Sequence, residues 1–200
     1  RDDLVTGVQT CALPIFAGEQ GHARALHNTA LAHISGVDGE QDYAQAVELL
    51  GKAASLGLAN SQYTLGKMYH YGLGVERDYH AAARYFRMAA EQGYAKAAYN
   101  LGKAFRDGHG VSADDAESAR WFEAAAERGY GKAQRHVARR YAKGRGVEKD
   151  EVQALMWAIL AGEQGIAEAI ELRQRLIGKL DTESVNKAKA MAQSFKPRTE

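Results

Sequence analysis

Cysteine and proline are almost missing from this chain, with one cysteine and two prolines in 200 residues. A lone cysteine excludes an internal disulfide framework and any cysteine-rich zinc site. The scarcity of proline removes the residue that most often breaks helices. No apolar run approaches the roughly 20 residues that a membrane-spanning helix needs, which excludes a membrane span in this stretch of chain. Charge of one sign is not in excess either: 26 Lys and Arg against 25 Asp and Glu leave a net charge of +1. That balance excludes a globally basic nucleic-acid binder while leaving room for a local patch. Alanine is what the chain has in quantity, 37 residues, followed by glycine with 21. Alanine loses no side-chain entropy in a helix, so the chain is predicted to be all-α, with glycine as punctuation. At 46% hydrophobic and 26% charged it can build a core, which excludes disorder.

The glycines are periodic. Gly21, Gly57, Gly93, Gly129 and Gly165 stand 36 apart, as do Gly36, Gly72, Gly108 and Gly144, and as do Gly74, Gly110 and Gly146. With Gly66 and Gly102, 14 of the 21 glycines fall on one lattice. Asp42, Asp78, Asp114 and Asp150 follow it, and so do Ala17, Ala53, Ala89, Ala125 and Ala161. A period in this range marks stacked repeats, and it governs how every single residue is read.

Within one unit the pattern is helix, tight loop, helix. Tyr63, Leu65, Met68 and Tyr69, matched by Tyr99, Leu101 and Phe105, lay an apolar stripe along a first helix. Small residues at 66 and 102 allow a neighbouring helix to come close. Gly72, Gly108 and Gly144 are predicted to end these helices in the left-handed conformation. The loops Gly-Leu-Gly-Val, Gly-His-Gly-Val and Gly-Arg-Gly-Val follow, each expected to bury its valine (Val75, Val111, Val147) under the turn. The periodic aspartate then opens the second helix as its N-cap. Gln45, Glu117 and Gln153, three residues after Asp42, Asp114 and Asp150, are placed as reciprocal partners; Asp78 has Ala81 there and a simpler cap. Leu49-Leu50, Tyr85-Phe86, Trp121-Phe122 and Trp157 fill the space inside a pair, and paired alanines such as Ala89-Ala90 and Ala125-Ala126 seat the next pair.

Ala97 to Gly102, Gly108-His-Gly-Val111 and Trp121-Phe-Glu-Ala-Ala-Ala-Glu-Arg-Gly129 together resemble a Sel1-like repeat, a relative of the tetratricopeptide repeat. Tyr63-Thr-Leu-Gly66, Gly72-Leu-Gly-Val75 and Tyr85 to Gly93 resemble it equally, and the likeness covers about residues 17–167. The copy at 22–57 is degenerate: Ser35-Gly-Val-Asp-Gly39 replaces the loop and His33 stands in the place of Tyr69. The resemblance implies a right-handed α-solenoid, a superhelix of antiparallel helix pairs, and an adaptor that binds another protein or peptide on a concave face. A cysteine-rich branch, to which β-lactam binding or hydrolysis is ascribed, has a disulfide in each repeat. This chain lacks those cysteines, so that activity is not carried over.

The repeats are expected at 22–57, 58–93, 94–129 and 130–165, with 17–21 the remnant of an earlier one. Residues 166–195 are expected as a capping helix pair, and 196–200 as a frayed tail. Leu4 to Ile15 resembles translated sequencing adapter, and the register puts Pro14 at a core helical position. Residues 1–16 are therefore expected to be non-native, Cys11 with them, and further repeats are expected upstream. Compartment stays open, since no targeting segment could be read.

No chemistry is set into the repeats. His22, His27, His33, His70, His80, His109 and His136 are scattered without an i, i+4 pair, so no metal site is expected. Ser184-Val-Asn-Lys187 matches Ser-Xaa-Xaa-Lys without the motifs that accompany it in acyl-transfer enzymes. No phosphate loop or dinucleotide fingerprint occurs. A non-catalytic scaffold without cofactor is the leading reading. By analogy with related solenoids, the first helices line the concave face through Tyr63, Lys67 and Tyr71; Lys96, Asn100, Lys103 and Asp107; and Lys132, His136, Arg139 and Lys143, with Asn60 and Thr64 also outward. From Lys132 to Val147 six basic residues (Lys132, Arg135, Arg139, Arg140, Lys143, Arg145) occur with no acid. That stripe suits an acidic segment of a partner, with Tyr63, Tyr71 and Tyr99 as anchors; a solvated helix face and, more remotely, a nucleic-acid or other anion binder are the alternatives.

Overall fold

The computed structural model describes residues 12–37 and 39–198, with side chains described from Gly18 onward. Ten α-helices and no strand occur among the described residues. They form two compact units, one ending at Ala89 and the other starting at Ala90. Each unit is a stack of antiparallel helix pairs, which makes the fold an all-α solenoid.

Unit 1 contains α1 (Ala12–Ser35), α2 (Tyr43–Ser55), α3 (Ala59–Tyr71) and most of α4 (Tyr79–Glu91). Its core is Ala30, Ala46, Leu50, Ala54, Leu65 and Met68, bordered by Tyr43, Tyr69 and Tyr85. The small residue at 66 has a specific purpose: a Cβ there would lie 2.8 Å from the Phe86 ring, so only glycine lets α4 seat its aromatic against α3. One expectation fails here. The register ends a helix at Gly21, yet α1 runs unbroken from Ala12 to Ser35, and Gly21 is not among the glycines of positive φ, whereas its lattice mates Gly57, Gly93, Gly129 and Gly165 all are. Continuing the helix through Gly21 satisfies the backbone groups of this segment without a turn. The expectation for residues 1–11, Cys11 included, lies outside the described residues.

Unit 2 contains α5 (Ala95–Asp107), α6 (Asp115–Ala126), α7 (Gly131–Lys143), α8 (Glu151–Glu163), α9 (Ala167–Ile177) and α10 (Thr182–Ser194). Leu101, Phe122, Val137 and Leu155 are its large fully buried apolar side chains, with Gln134 buried among them. Both α9 and α10 pack against α8, which explains why Ala154 to Ala161 is buried at every position: a helix covered on all sides is apolar all round. The tail is not frayed as far as Arg198. Phe195 packs edge-on to Trp157 at 5.4 Å, and Arg198 donates from its backbone N–H to the Glu127 carbonyl and pairs with the Glu127 carboxylate, both at 2.9 Å.

The loops obey the lattice in finer detail than the sequence suggests. Asp42, Asp114 and Asp150 accept from the backbone N–H groups that open α2, α6 and α8, and Asp78 accepts from His80 and Ala81 at the start of α4. The reciprocal half of the expected capping box is replaced. The backbone N–H groups of Asp42, Asp78, Asp114 and Asp150 donate instead to the carbonyls of His33, Tyr69, Phe105 and Tyr141 at 2.9–3.0 Å. Each aspartate thus caps one helix and ties the preceding one to it, so Glu117 is free to bond Arg120 and the Trp121 indole. The loop valines are half-buried rather than buried, because the loop lies at the rim of the helix pair.

Candidate functional site

In unit 1 the expected surface residues divide by role. Tyr63 is half-buried, its ring tilted 6.0 Å from Phe86, so it belongs partly to the core. The Lys67 ammonium lies 5.9 Å over that ring. Tyr71 is the exposed aromatic at 62%, standing edge-on to His70. Asn60 is exposed, and the Thr64 hydroxyl donates back to its carbonyl at 2.8 Å.

In unit 2, α5 and α7 lie side by side. Tyr99 of α5 meets Tyr130 at 5.2 Å and His136 of α7 at 5.7 Å, so Tyr99, like Tyr63, is more packing than anchor. Lys96 is exposed, and Asn100 bonds back to its carbonyl at 3.0 Å. The Lys103 ammonium lies 5.9 Å over Tyr99. Arg106, one residue before Asp107, grips that carboxylate with two bonds of 2.7 and 2.8 Å. The pairing holds the Asp107 carboxyl below its ordinary range against the opposing effect of burial.

The basic stretch 132–147 is only partly a free positive surface. Arg140 is 5% exposed and structural: its guanidinium donates to the Asp115 carbonyl at 3.1 Å, the Arg145 carbonyl at 2.9 Å and the Ser118 hydroxyl at 2.6 Å, and it lies 5.4 Å over the Phe122 ring. Arg145 pairs with the Asp115 carboxylate through Nε at 2.9 and 3.0 Å. Arg135 pairs with Glu168 of α9 at 2.8 Å. The acids absent from the stretch in sequence are therefore supplied in space by α6 and α9. Lys132, Arg139 and Lys143 are exposed and have no carboxylate partner among the described residues.

His136 is not an outward group. Its ring stacks on Phe122 at 4.5 Å and 6°, and Arg135 donates to its Nε2 at 3.0 Å. Burial above all, and then Arg135, Arg106, Arg139 and Arg140, push its pKa down to about 3. The ring is thus neutral at physiological pH, with Nδ1 as its N–H. Arg106, His136, Arg139, Arg140, Lys143 and Arg145 together line a cleft of about 130 Å³. Arg106 escaped the sequence reading because it lies outside the basic stretch. Its signal was lattice position: residue 106 is one 36-residue step from residue 142, inside the last turn of the next first helix.

The remaining sequence motifs have structural roles. Ser184 donates from its hydroxyl to Asp181 at 3.0 Å and from its N–H at 2.8 Å, as part of the α10 cap. His27 bonds the Ser61 hydroxyl at 2.9 Å. Among the described residues no group of three or more His, Cys, Asp or Glu could hold a metal ion, and no helix is long and apolar enough to cross a membrane.

The Sel1 repeat family model matches residues 23–58, 59–94, 95–130 and 131–166, each one residue later than the bounds drawn on the sequence. No curated protein matches the chain. Among solved structures it is similar to a Sel1 repeat protein from Oxalobacter formigenes, at 27% identity and TM-score 0.76 over 88% of this chain and 75% of that one. It is also similar to a protective antigen of uropathogenic Escherichia coli strains that displays an SLR fold, at 27% identity and TM-score 0.58 over 90% of this chain. The chain spans 47% of that antigen's length.

Proposed function

Because the chain belongs to the Sel1 repeat family, we propose that it is a non-catalytic module that binds another protein, and that the partner offers an acidic segment to the first-helix surface of unit 2. One observation carries the finer part. Lys132, Arg139 and Lys143 on α7 are exposed and lack carboxylate partners among the described residues, beside Lys96 and Lys103 on the adjacent α5. Unpaired surface cations on rigid helices steer and hold a complementary chain. Tyr71 in unit 1 offers a separate exposed aromatic contact. A continuous phosphodiester track fits less well, because Asp107, Asp115 and Glu168 interrupt the positive field and stacking platforms for bases are few.

The experiment is capture by the full chain of its partner, identified by mass spectrometry and then purified. Lys103→Glu with Arg139→Glu should abolish binding of the purified partner, while Lys187→Glu on α10 should leave it intact. Binding by the double variant equal to that of the wild type would overturn the assignment of this surface.

A further inference from the structure

Five cationic side chains and one neutral imidazole line an open cleft of unit 2, and no carboxylate is among its lining residues. We propose that this cleft, between Arg106 of α5 and Arg139, Arg140, Lys143 and Arg145 at the end of α7, is a binding site for a phosphate dianion, free or carried as a phosphate monoester. The proposal goes beyond the partner reading, because its ligand is a small ion that needs no partner protein.

Charge is the first argument. Asp107 compensates Arg106 from outside the lining, and Asp115 is shared between Arg140 and Arg145. Five lining cations against the two carboxylates bonded to them leave a formal surplus of three, although Glu168 and Glu171 share a neighbouring cleft with Arg139 and Lys143. Like charges so close repel and destabilise the fold, and an anion of charge two would remove most of that repulsion where a monoanion would not.

Preorganisation is the second. A solvated basic face has long side chains free to rotate, but three of these guanidinium groups are already fixed. Arg140 is held by two backbone carbonyls and the Ser118 hydroxyl, Arg145 by two bonds to Asp115, and Arg106 by two bonds to Asp107. Fixing them in advance lowers the entropy cost of binding. The three fixed groups supply positive field and their remaining N–H donors, Arg139 supplies a planar guanidinium fork that suits the oxygens of phosphate, and Lys143 adds a movable point charge. His136 lines the same cleft with its Nε2 engaged by Arg135, so its N–H is a neutral donor that adds no further repulsion.

Size is the third. A cleft of about 130 Å³ is well below the roughly 300 Å³ at which drug-sized ligands begin. It has room for one tetrahedral ion and a few waters, each water occupying about 30 Å³.

The test is calorimetric titration of the full chain with inorganic phosphate and with acetate at matched ionic strength. A phosphoserine peptide and its unphosphorylated counterpart form a second pair of arms. Arg139 and Lys143 are exposed and hold no structural bond in this network, so Arg139→Gln with Lys143→Gln probes the site without disturbing Arg140. Phosphate should bind saturably, acetate about tenfold more weakly or worse, and the double variant should lose about tenfold or more in affinity. Lys132→Gln, on the same helix but outside the cleft, should bind as the wild type does. A phosphopeptide that binds more tightly than phosphate, with the same sensitivity to the double variant, identifies the ligand as a monoester on a chain; equal or weaker binding identifies the free ion. The proposal is overturned if neither phosphate nor the phosphopeptide saturates the wild type, if acetate matches phosphate, or if the double variant binds unchanged.

Discussion

At Gly72–Gly74 and again at Gly144–Gly146 the chain makes the same turn. Gly72 and Gly144 end their helices at φ of 71° and 67°, and Gly74 and Gly146 follow at 68° and 75°. The residue between the glycines donates its N–H back into the helix in both, Leu73 to Met68 and Arg145 to Arg140. In both, the second glycine lies on the first residue of an earlier second helix, Tyr43 in one case and Asp115 in the other. The side chains that fill this common frame are unlike. Around the first turn they are Met68 and Ala46, buried and apolar; at the same lattice positions around the second they are Arg140 and Ser118, buried and polar. Leu73 and Tyr43 are likewise replaced by Arg145 and Asp115. The backbone bonds of the repeat close the loop by themselves, so the side chains above it are available for other purposes: apolar cohesion in one repeat, an ordered group of cations in the other.

If the shared frame rests on backbone geometry, damage to it should be equal in both places and larger than any change of side chain. Gly74→Ala and Gly146→Ala each put a Cβ at positive φ and into the backbone of Tyr43 or Asp115. Each is expected to destabilise by about 3 kcal/mol or more, the left-handed conformation and the overlap both contributing. Urea midpoints of the two variants measure this. A Gly74→Ala protein as stable as the wild type beside a collapsed Gly146→Ala protein would show that the two turns are not equivalent.

The side-chain half of the comparison predicts a smaller and reversible effect. Arg140→Ala removes a buried cation from two carbonyls and the Ser118 hydroxyl and leaves a void over Phe122, which should cost about 2–3 kcal/mol. Arg140→Met with Ser118→Ala copies Met68 and Ala46 into the second turn and should return to within about 1 kcal/mol of the wild type, since buried ionic groups are often replaceable by apolar ones of similar volume. Denaturation of the single and double variants reads this directly. A double variant weaker than Arg140→Ala would mean that the two fillings are not interchangeable and that the fourth repeat depends on its charges for stability.

The frame was legible in the sequence because each part of it is a local demand. A left-handed turn asks for glycine, a helix start asks for a side-chain acceptor, and both recur every 36 residues at Gly72, Gly108 and Gly144 and at Asp42, Asp78, Asp114 and Asp150. The second use of the aspartates, through their backbone N–H groups, was not legible, because every non-proline residue carries that donor and it leaves no trace in composition. The pairing of Arg140 and Arg145 with Asp115 was hidden by distance, 25 and 30 residues back along the chain. Lattice arithmetic could have exposed part of it: an arginine at the place of the buried Met68 must find acceptors, and Asp115 at the place of Tyr43 is next to it. The candidate surface was the least legible part, since an outward position on a helical wheel does not distinguish Arg139, which is exposed, from His136, which stacks on Phe122.

His136 gives the comparison its smallest test. At its lattice position unit 1 has Thr64, which does not titrate; His136 has an ordinary value of 6.5 and a folded value of about 3. Between these limits the unfolded chain binds the proton and the folded chain does not, so stability is full above about pH 6.5 and declines as the pH falls toward 3. From pH 7 to pH 5 the loss should be on the order of 1–2 kcal/mol. His27 in unit 1, whose pKa burial also lowers, adds to it in the same direction. The chain's two tryptophans, Trp121 and Trp157, both lie in unit 2, so their fluorescence follows the unit that contains His136. Urea unfolding followed by that fluorescence should give a lower midpoint at pH 5 than at pH 7. In His136→Thr, which copies Thr64, the midpoint at pH 7 is expected to fall through lost stacking, but its dependence on pH should flatten. A slope unchanged by His136→Thr would place the titrating group elsewhere and remove His136 from the differences between the two repeats.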